Sequence, residues 1–217
     1  AVWYYYRGRA HDANGDNAAA IADLGEALRR SPDMAVAWYV RGQLLEIENR
    51  LEDALSDYNR ALALMPDGYE VLDRRASVNL ALRRFDAAIA DADLAAELSP
   101  ETAEYHNQRC WTRAVADRDL DVARAACDRS LALAPDKAHV LDSRALVAFR
   151  QSRFSDAWAD YDAAYRLDGR RAGYLYGRGL AALKLGRRAE GQADIAAARG
   201  MDATVAEDYA EYGLRPE

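Results

Sequence analysis

A proline followed by an acid returns along the chain at a nearly constant step: Pro32-Asp33, Pro66-Asp67, Pro100-Glu101 and Pro135-Asp136, 34, 34 and 35 residues apart. A further step of 34 lands on Gly169 and another on Ala203. Such a period confines the chain to a repeat architecture, in which each unit buries its apolar face only by stacking on the next. Proline cannot continue a helix, so it ends one element. The acid behind it sits near the start of the next helix, where the dipole favours negative charge.

We number positions in each repeat as columns, with Pro32 in column 32. The repeats then run about 1–34, 35–68, 69–102, 103–137, 138–171 and 172–205. Three columns are small throughout. Column 8 holds Gly8, Gly42, Ala76, Cys110, Ala145 and Gly179; columns 20 and 27 hold alanine, glycine or serine. Small side chains let two helices approach closely, and larger apolar residues fill the remaining space. Apolar residues recur at three- and four-residue steps, the helical period. The second repeat is expected to form helices over Ala35–Glu48 and Leu51–Leu64, with Asn49-Arg50 as the turn. The extra residue of the fourth repeat falls in its turn, near Asp117–Asp119. No strand is expected. Thr204–Tyr212 reads as a final capping helix, ended by Gly213 and Pro216.

These columns resemble the tetratricopeptide repeat family, whose pattern has an aromatic at column 4, a small residue at 8, glycine at 15, an aromatic at 17, alanine at 20 and 27, and proline at 32. Trp38, Gly42, Ala54, Tyr58, Ala61 and Pro66 form the best copy, and Gly15, Gly186, Phe85 and Phe154 fit other columns. The departures are His106 in column 4 and Gly169 and Ala203 in place of proline. The resemblance implies an all-α fold: a single right-handed superhelical α-solenoid of six hairpins and a C-terminal capping helix over residues 1–217. The 27 arginines beside two lysines, Lys137 and Lys184, and the many alanines suggest a GC-rich bacterial coding sequence.

One feature lies outside the family pattern. Column 7 is arginine in every repeat: Arg7, Arg41, Arg75, Arg109, Arg144 and Arg178. Column 23 is aspartate in all but one: Asp23, Asp57, Asp91, Asp160 and Asp194, with Ala126 in the fourth repeat. A repeated ion pair is expected, within one repeat or between neighbours. The gap at Ala126 separates the two arrangements, because it affects Arg109 in the first and Arg144 in the second. Cys110 and Cys127 fall in columns 8 and 24 of one repeat and meet across its hairpin. A disulfide and a pair of buried thiols both fit.

In the family the first helix of each repeat lines the concave face, through columns 2, 5, 6, 9, 12 and 13. The resemblance therefore assigns partner binding to Tyr5, Tyr39, Gln43, Asp73, Arg74, Asn107, Gln108, Trp111, Asp142 and Tyr176. These make a groove with aromatic ends and a polar, mildly acidic centre. Asn107 and Gln108 carry amides able to bond an extended peptide backbone. Trp111, Tyr39 and Tyr176 are candidate anchors, with packing between neighbouring helices as the alternative role. Trp3, Trp38 and Trp158 fall on packing columns and are assigned to the core. The family's carboxylate clamp for chaperone tails needs lysine and asparagine at columns 5 and 9. Here those columns hold Tyr5/Arg9, Tyr39/Gln43 and Asp73/Ser77.

No catalytic constellation is visible. His11, His106 and His139 are isolated, and there is no HExxH, GxSxG or glycine-rich phosphate loop. The glycines of Gly177–Gly186 fall on repeat columns. No enzyme activity, cofactor or metal is expected. A net charge of −7 opposes nucleic-acid binding, and an RNA-binding helical repeat is correspondingly disfavoured. No apolar run is long enough for a membrane span and no signal peptide is visible, so cytoplasm and bacterial periplasm both fit. The expected function is a non-catalytic adaptor that holds a peptide or partner protein. A structural spacer or self-assembly module is the alternative.

Overall fold

The computed structural model describes residues 1–216. They form thirteen helices and no strand. Six hairpins follow in order: α1 (Val2–Ala13) with α2 (Asn17–Arg30), α3 (Ala35–Ile47) with α4 (Leu51–Leu64), α5 (Tyr69–Ala81) with α6 (Phe85–Leu98), α7 (Ala103–Ala116) with α8 (Leu120–Leu133), α9 (Ala138–Arg150) with α10 (Phe154–Leu167), and α11 (Ala172–Lys184) with α12 (Arg188–Met201). A short helix, α13 (Val205–Glu211), ends the array. The hairpins group into two compact units, Ala1–Ser99 and the chain from Pro100 onward. Within each unit the hairpins stack in sequence, and first helices lie against first helices: α3 against α5, α7 against α9, and α9 against α11.

Column 15 turns each hairpin. Gly15 and Gly186 have φ of 78° and 75° there, and Asn49, Arg83, Asp117 and Ser152 take the same left-handed conformation without being glycine. The extra residue of the fourth repeat lengthens this turn, and Asp119 is left-handed as well, with φ of 45°. Between repeats, proline makes the turn in four cases. In the two that lack it, Asp168 and Asp202 stand one position earlier. Each carboxylate accepts the backbone N–H two residues on, from Arg170 at 3.3 Å and Thr204 at 2.9 Å. An Asx turn thus replaces the proline turn.

Column 4 explains the other departure. Trp38 Nε1 donates to the Pro32 carbonyl at 2.8 Å, and His106 Nε2 reaches the Pro100 carbonyl at 2.8 Å. The imidazole replaces the indole as donor across the same six-residue loop. Trp158 is half-buried and donates to Glu190 at 3.0 Å. Trp3 departs from its expected core role. It is 60% exposed, and its ring lies under Arg7, 4.2 Å from the guanidinium carbon.

The small columns work by close approach. A Cβ built on Gly42 would lie 2.6 Å from the fully buried ring of Tyr58, and one built on Gly179 would lie 2.9 Å from the Gly191 carbonyl oxygen. Cys110 and Cys127 are bonded, with sulfurs 2.09 Å apart, and tie α7 to α8.

The arginines of column 7 pair with column 23 within the repeat rather than between neighbours, and they add a backward contact to column 25. Within the repeat, five of the six guanidiniums fork onto the column-23 carboxylate: Arg41 Nε and Nη2 donate to Asp57 at 2.7 and 2.8 Å. Arg7–Asp23, Arg75–Asp91, Arg144–Asp160 and Arg178–Asp194 repeat this fork. Backward, the free Nη1 reaches column 25 of the preceding repeat: Arg75 to Asn59 at 2.8 Å, Arg144 to Asp128 at 2.9 Å, and Arg178 to Asp162 at 2.7 Å. Ala126 therefore removes the within-repeat acid of Arg109.

Two predictions follow from this geometry. Asp57 is 4% exposed and Arg41 22%, against 9% and 46% for Asp23 and Arg7. Asp57→Ala is expected to cost about 2–3 kcal/mol, as breaking a largely buried pair does. Asp23→Ala should cost about 1 kcal/mol or less. Equal losses in urea unfolding would overturn the ranking. Ser152→Gly relieves a left-handed φ of 58° and should add about 0.5–1 kcal/mol, read as a raised Tm.

Candidate functional site

The second unit carries the more developed inner face. Its capping helix does more than close the end. Val205, Tyr209 and Leu214 are buried, and contacts from this segment reach the first helices of three hairpins. Tyr209 donates its hydroxyl to the Gly173 carbonyl of α11 at 2.8 Å, and its ring tilts against Tyr176 at 4.9 Å. Arg150 of α9 donates to the Tyr212 carbonyl at 2.5 Å. The Tyr212 ring meets Trp111 of α7 edge-on at 5.6 Å. Gly213, with φ of 75°, ends the helix, and the Leu214 N–H returns to the Tyr209 carbonyl at 3.0 Å.

Between this segment and α7, α9 and α11 lies a pocket of about 640 Å³. Asn107 and Trp111 line it from α7, Asp142 and Ser143 from α9, Tyr161 from α10, and Tyr174 from α11. Tyr209 and Tyr212 close the opposite wall, and the exposed Arg170 and Arg171 stand at its edge. Two acceptors inside have no donor. Asn107 Oδ1 is buried and receives no hydrogen bond. Asp142 makes no hydrogen bond or ion pair among the described residues. Burial pushes its carboxyl up to about 7, against the weaker opposing pull of Arg171. Four phenols share its field: Tyr161, Tyr174, Tyr209 and Tyr212 are all raised, burial first and nearby negative charge, including Asp142, after it.

The first unit offers a smaller cleft of about 300 Å³, in which Gln43 and Arg74 meet Glu46 and Ile47. Gln43 Nε2 donates to the Tyr39 hydroxyl at 3.0 Å, and Tyr58 donates to Glu46 at 2.8 Å. Arg74 lies 3.7 Å from Glu46. Tyr5 accepts from Arg9 at 3.3 Å and packs partly on the core with Tyr39.

The residues assigned to partner binding thus separate. Asn107, Trp111 and Asp142 share one pocket; Gln43 and Arg74 share another, with Tyr39 bonded to it. Asp73 and Gln108 line neither. Tyr176 is corrected: it is fully buried, because Tyr209 of the capping helix covers it, so it offers no surface to a partner. Sequence reading passed over the tyrosines around Asp142. The visible signs were an oversized residue at column 24, Tyr161, and the spacing of Tyr209 and Tyr212 in the cap.

Two units of stacked helical hairpins, each with an inner face built from its first helices, define an all-α repeat protein. Residues 5–69 match the family model described as tetratricopeptide repeat. The fold is shared with a tetratricopeptide repeat protein from Parabacteroides merdae, with a TM-score of 0.79 and 17% identity over 96% of this chain and 86% of that one. PilW, described as a widely conserved type IV pilus biogenesis factor, matches with a TM-score of 0.78 and 20% identity over 91% of each chain. YrrB, described as a TPR protein with an unusual peptide-binding site, matches with a TM-score of 0.61 and 16% identity over 87% of this chain and 95% of that one. Residues 5–69 thus carry the tetratricopeptide repeat signature, and the chain shares the tetratricopeptide fold over most of its length. No curated protein shows significant sequence similarity to it.

Asp142 also has a consequence for stability. Its folded value near 7 lies above the ordinary 3.8, so the folded state binds the extra proton between those values, and stability falls as pH rises through that window. Asp142→Asn is expected to stabilise the protein at pH 8, by about 1–2 kcal/mol after allowance for partial solvent contact. The gain should shrink as pH falls from 7 towards 4. A pH-independent difference in thermal midpoint would contradict this assignment.

Proposed function

We propose that this chain is a non-catalytic adaptor that binds a peptide or an extended segment of a partner protein on the inner faces of its first helices. The observation that carries this reading is the pocket of the second unit, where the buried Asn107 Oδ1 has no donor and Asp142 lines the same space. A buried acceptor without a partner costs about 1–3 kcal/mol, and a bound backbone or side-chain donor recovers it. Trp111 at the wall supplies flat aromatic area of the kind that anchors recognition. Tetratricopeptide repeat proteins serve as protein-interaction modules, and the description of YrrB as a peptide binder agrees with that role. Five of the six column-7 arginines are committed to carboxylates, which withdraws most of the regular cationic stripe from any role with nucleic acid. Among the described residues no helix is long and apolar enough to cross a membrane.

The alternative, a self-assembling spacer, draws on the exposed Val2, Trp3 and Tyr6 of α1. Affinity capture from source-cell extract separates the two readings. The Asn107→Ala/Trp111→Ala variant is expected to lose the partners held by the wild type, at least tenfold, with unchanged helical circular dichroism. An unchanged partner list would sink the inner-face assignment. Capture of a second copy alone, sensitive to Trp3→Ala, would favour self-assembly.

A further inference from the structure

The pocket of the second unit has a more particular chemistry than a generic groove. Its polar interior is acceptor-rich: the Asn107 amide oxygen is buried without a donor, and the half-buried Asp142 carboxylate lines the same space with no ion pair among the described residues. Its walls are aromatic. Trp111 meets Tyr212 edge-on at 5.6 Å, Tyr212 meets Tyr209 at 6.1 Å, and Tyr161 and Tyr174 face the same space. Aromatic faces attract a cation, more strongly where water is excluded. An unpaired, recessed carboxylate is costly alone and favourable once an opposite charge reaches it.

We propose that this pocket is a socket for a cationic side chain of the bound segment, a lysine ammonium or an arginine guanidinium, which pairs with Asp142 between tyrosine and tryptophan rings. The inference rests on the adaptor reading and adds the identity of its anchor. The protein's own cations do not fill the role. Arg170 is committed to Asp168 at 2.9 Å, and Arg171 is exposed and makes no ion pair with Asp142. Arg150, the remaining guanidinium near, donates to the Tyr212 carbonyl and lies 3.4 Å from Asp117. The lining carboxylates Asp202 and Asp208 favour a cation further. A volume of about 640 Å³ accommodates a long side chain with its flanking backbone.

Binding should be linked to protons. At neutral pH Asp142 is about half protonated, and a cation takes the ionised form. The groups facing it from the surrounding elements are His139, Arg170, Arg171, Tyr161, Tyr174, Asp202, Asp208, Tyr209 and Tyr212. The four tyrosines are raised and stay neutral, and His139 is lowered by burial and by Lys137. Asp142 therefore dominates between pH 6 and 8, and affinity for the cation should rise roughly tenfold across that range.

The test uses the full chain and three blocked pentapeptides, Ala-Ala-X-Ala-Ala, with X lysine, arginine or norleucine. The readout is the indole N–H resonance of Trp111, assigned with Trp111→Phe. Lysine or arginine is expected to shift that resonance saturably, with norleucine at least tenfold weaker. Asp142→Asn should weaken the cationic peptide at least tenfold while near-UV circular dichroism is retained, and affinity should climb from pH 6 to 8. Equal binding of norleucine, no shift with any peptide up to about 10 mM, or full affinity in Asp142→Asn would overturn the socket. Partners lost with Asn107→Ala/Trp111→Ala but kept by Asp142→Asn would leave the adaptor reading standing and remove the socket. If no partner is captured at all, the adaptor reading fails, and the peptide titration still decides the socket by itself.

Discussion

The column-7 arginine is the contact on which the stacking depends. A tetratricopeptide hairpin needs two things held: the crossing of its own helices and its angle to the hairpin before it. Apolar packing supplies area for both but little directionality. The guanidinium supplies direction, because its five donors sit in a rigid plane. Nε and Nη2 fork onto column 23 of the same repeat, and Nη1 points back to column 25 of the previous one. A lysine could not do this, since an ammonium presents no fork. The cost of desolvating these charges is moderated because the arginines stay partly exposed, between 18% and 46%.

The ladder relaxes where other constraints take over. Gly25 stands at column 25 of the first repeat, so Arg41 has no backward side-chain acceptor there. In the fourth repeat the acid is replaced by Ala126, and this is the repeat whose hairpin is closed by the Cys110–Cys127 disulfide. A covalent tie between α7 and α8 replaces the function of an ion pair between the same two helices. The turn of that repeat also carries the extra residue, and a crosslink fixes the hairpin whatever the loop does.

The sequence resolved the period, the hairpins and the pairing columns because each is written in the spacing of residue types. The turns at Gly169 and Ala203 were legible only as missing prolines; the compensating Asp168 and Asp202 show their function through backbone N–H geometry. Burial was harder. Column logic reads an aromatic on a packing column as core and one on the inner face as open. Trp3 meets a packing column and is exposed. Tyr176 lies on the inner face and is covered by Tyr209. Of the groove residues, Asn107, Trp111 and Asp142 converge because helical spacing places their columns on one face. The lack of a donor at Asn107 and Asp142 depends on every surrounding side chain at once, and no spacing rule carries that information.

The capping helix connects these points. Terminal repeats must hide an apolar flank, and α13 does so with Val205, Tyr209 and Leu214. By reaching α7, α9 and α11 together it also converts an open trough into a walled pocket, with its tyrosines facing Asp142. A carboxylate on a fully hydrated trough would keep its ordinary acidity; under a roof of phenols it is desolvated and poised near neutrality. The cap that solves a solubility problem therefore also sets the electrostatics of the inner face. The walls of this pocket are set as much by the seven-residue helix α13 as by the repeats that it packs against.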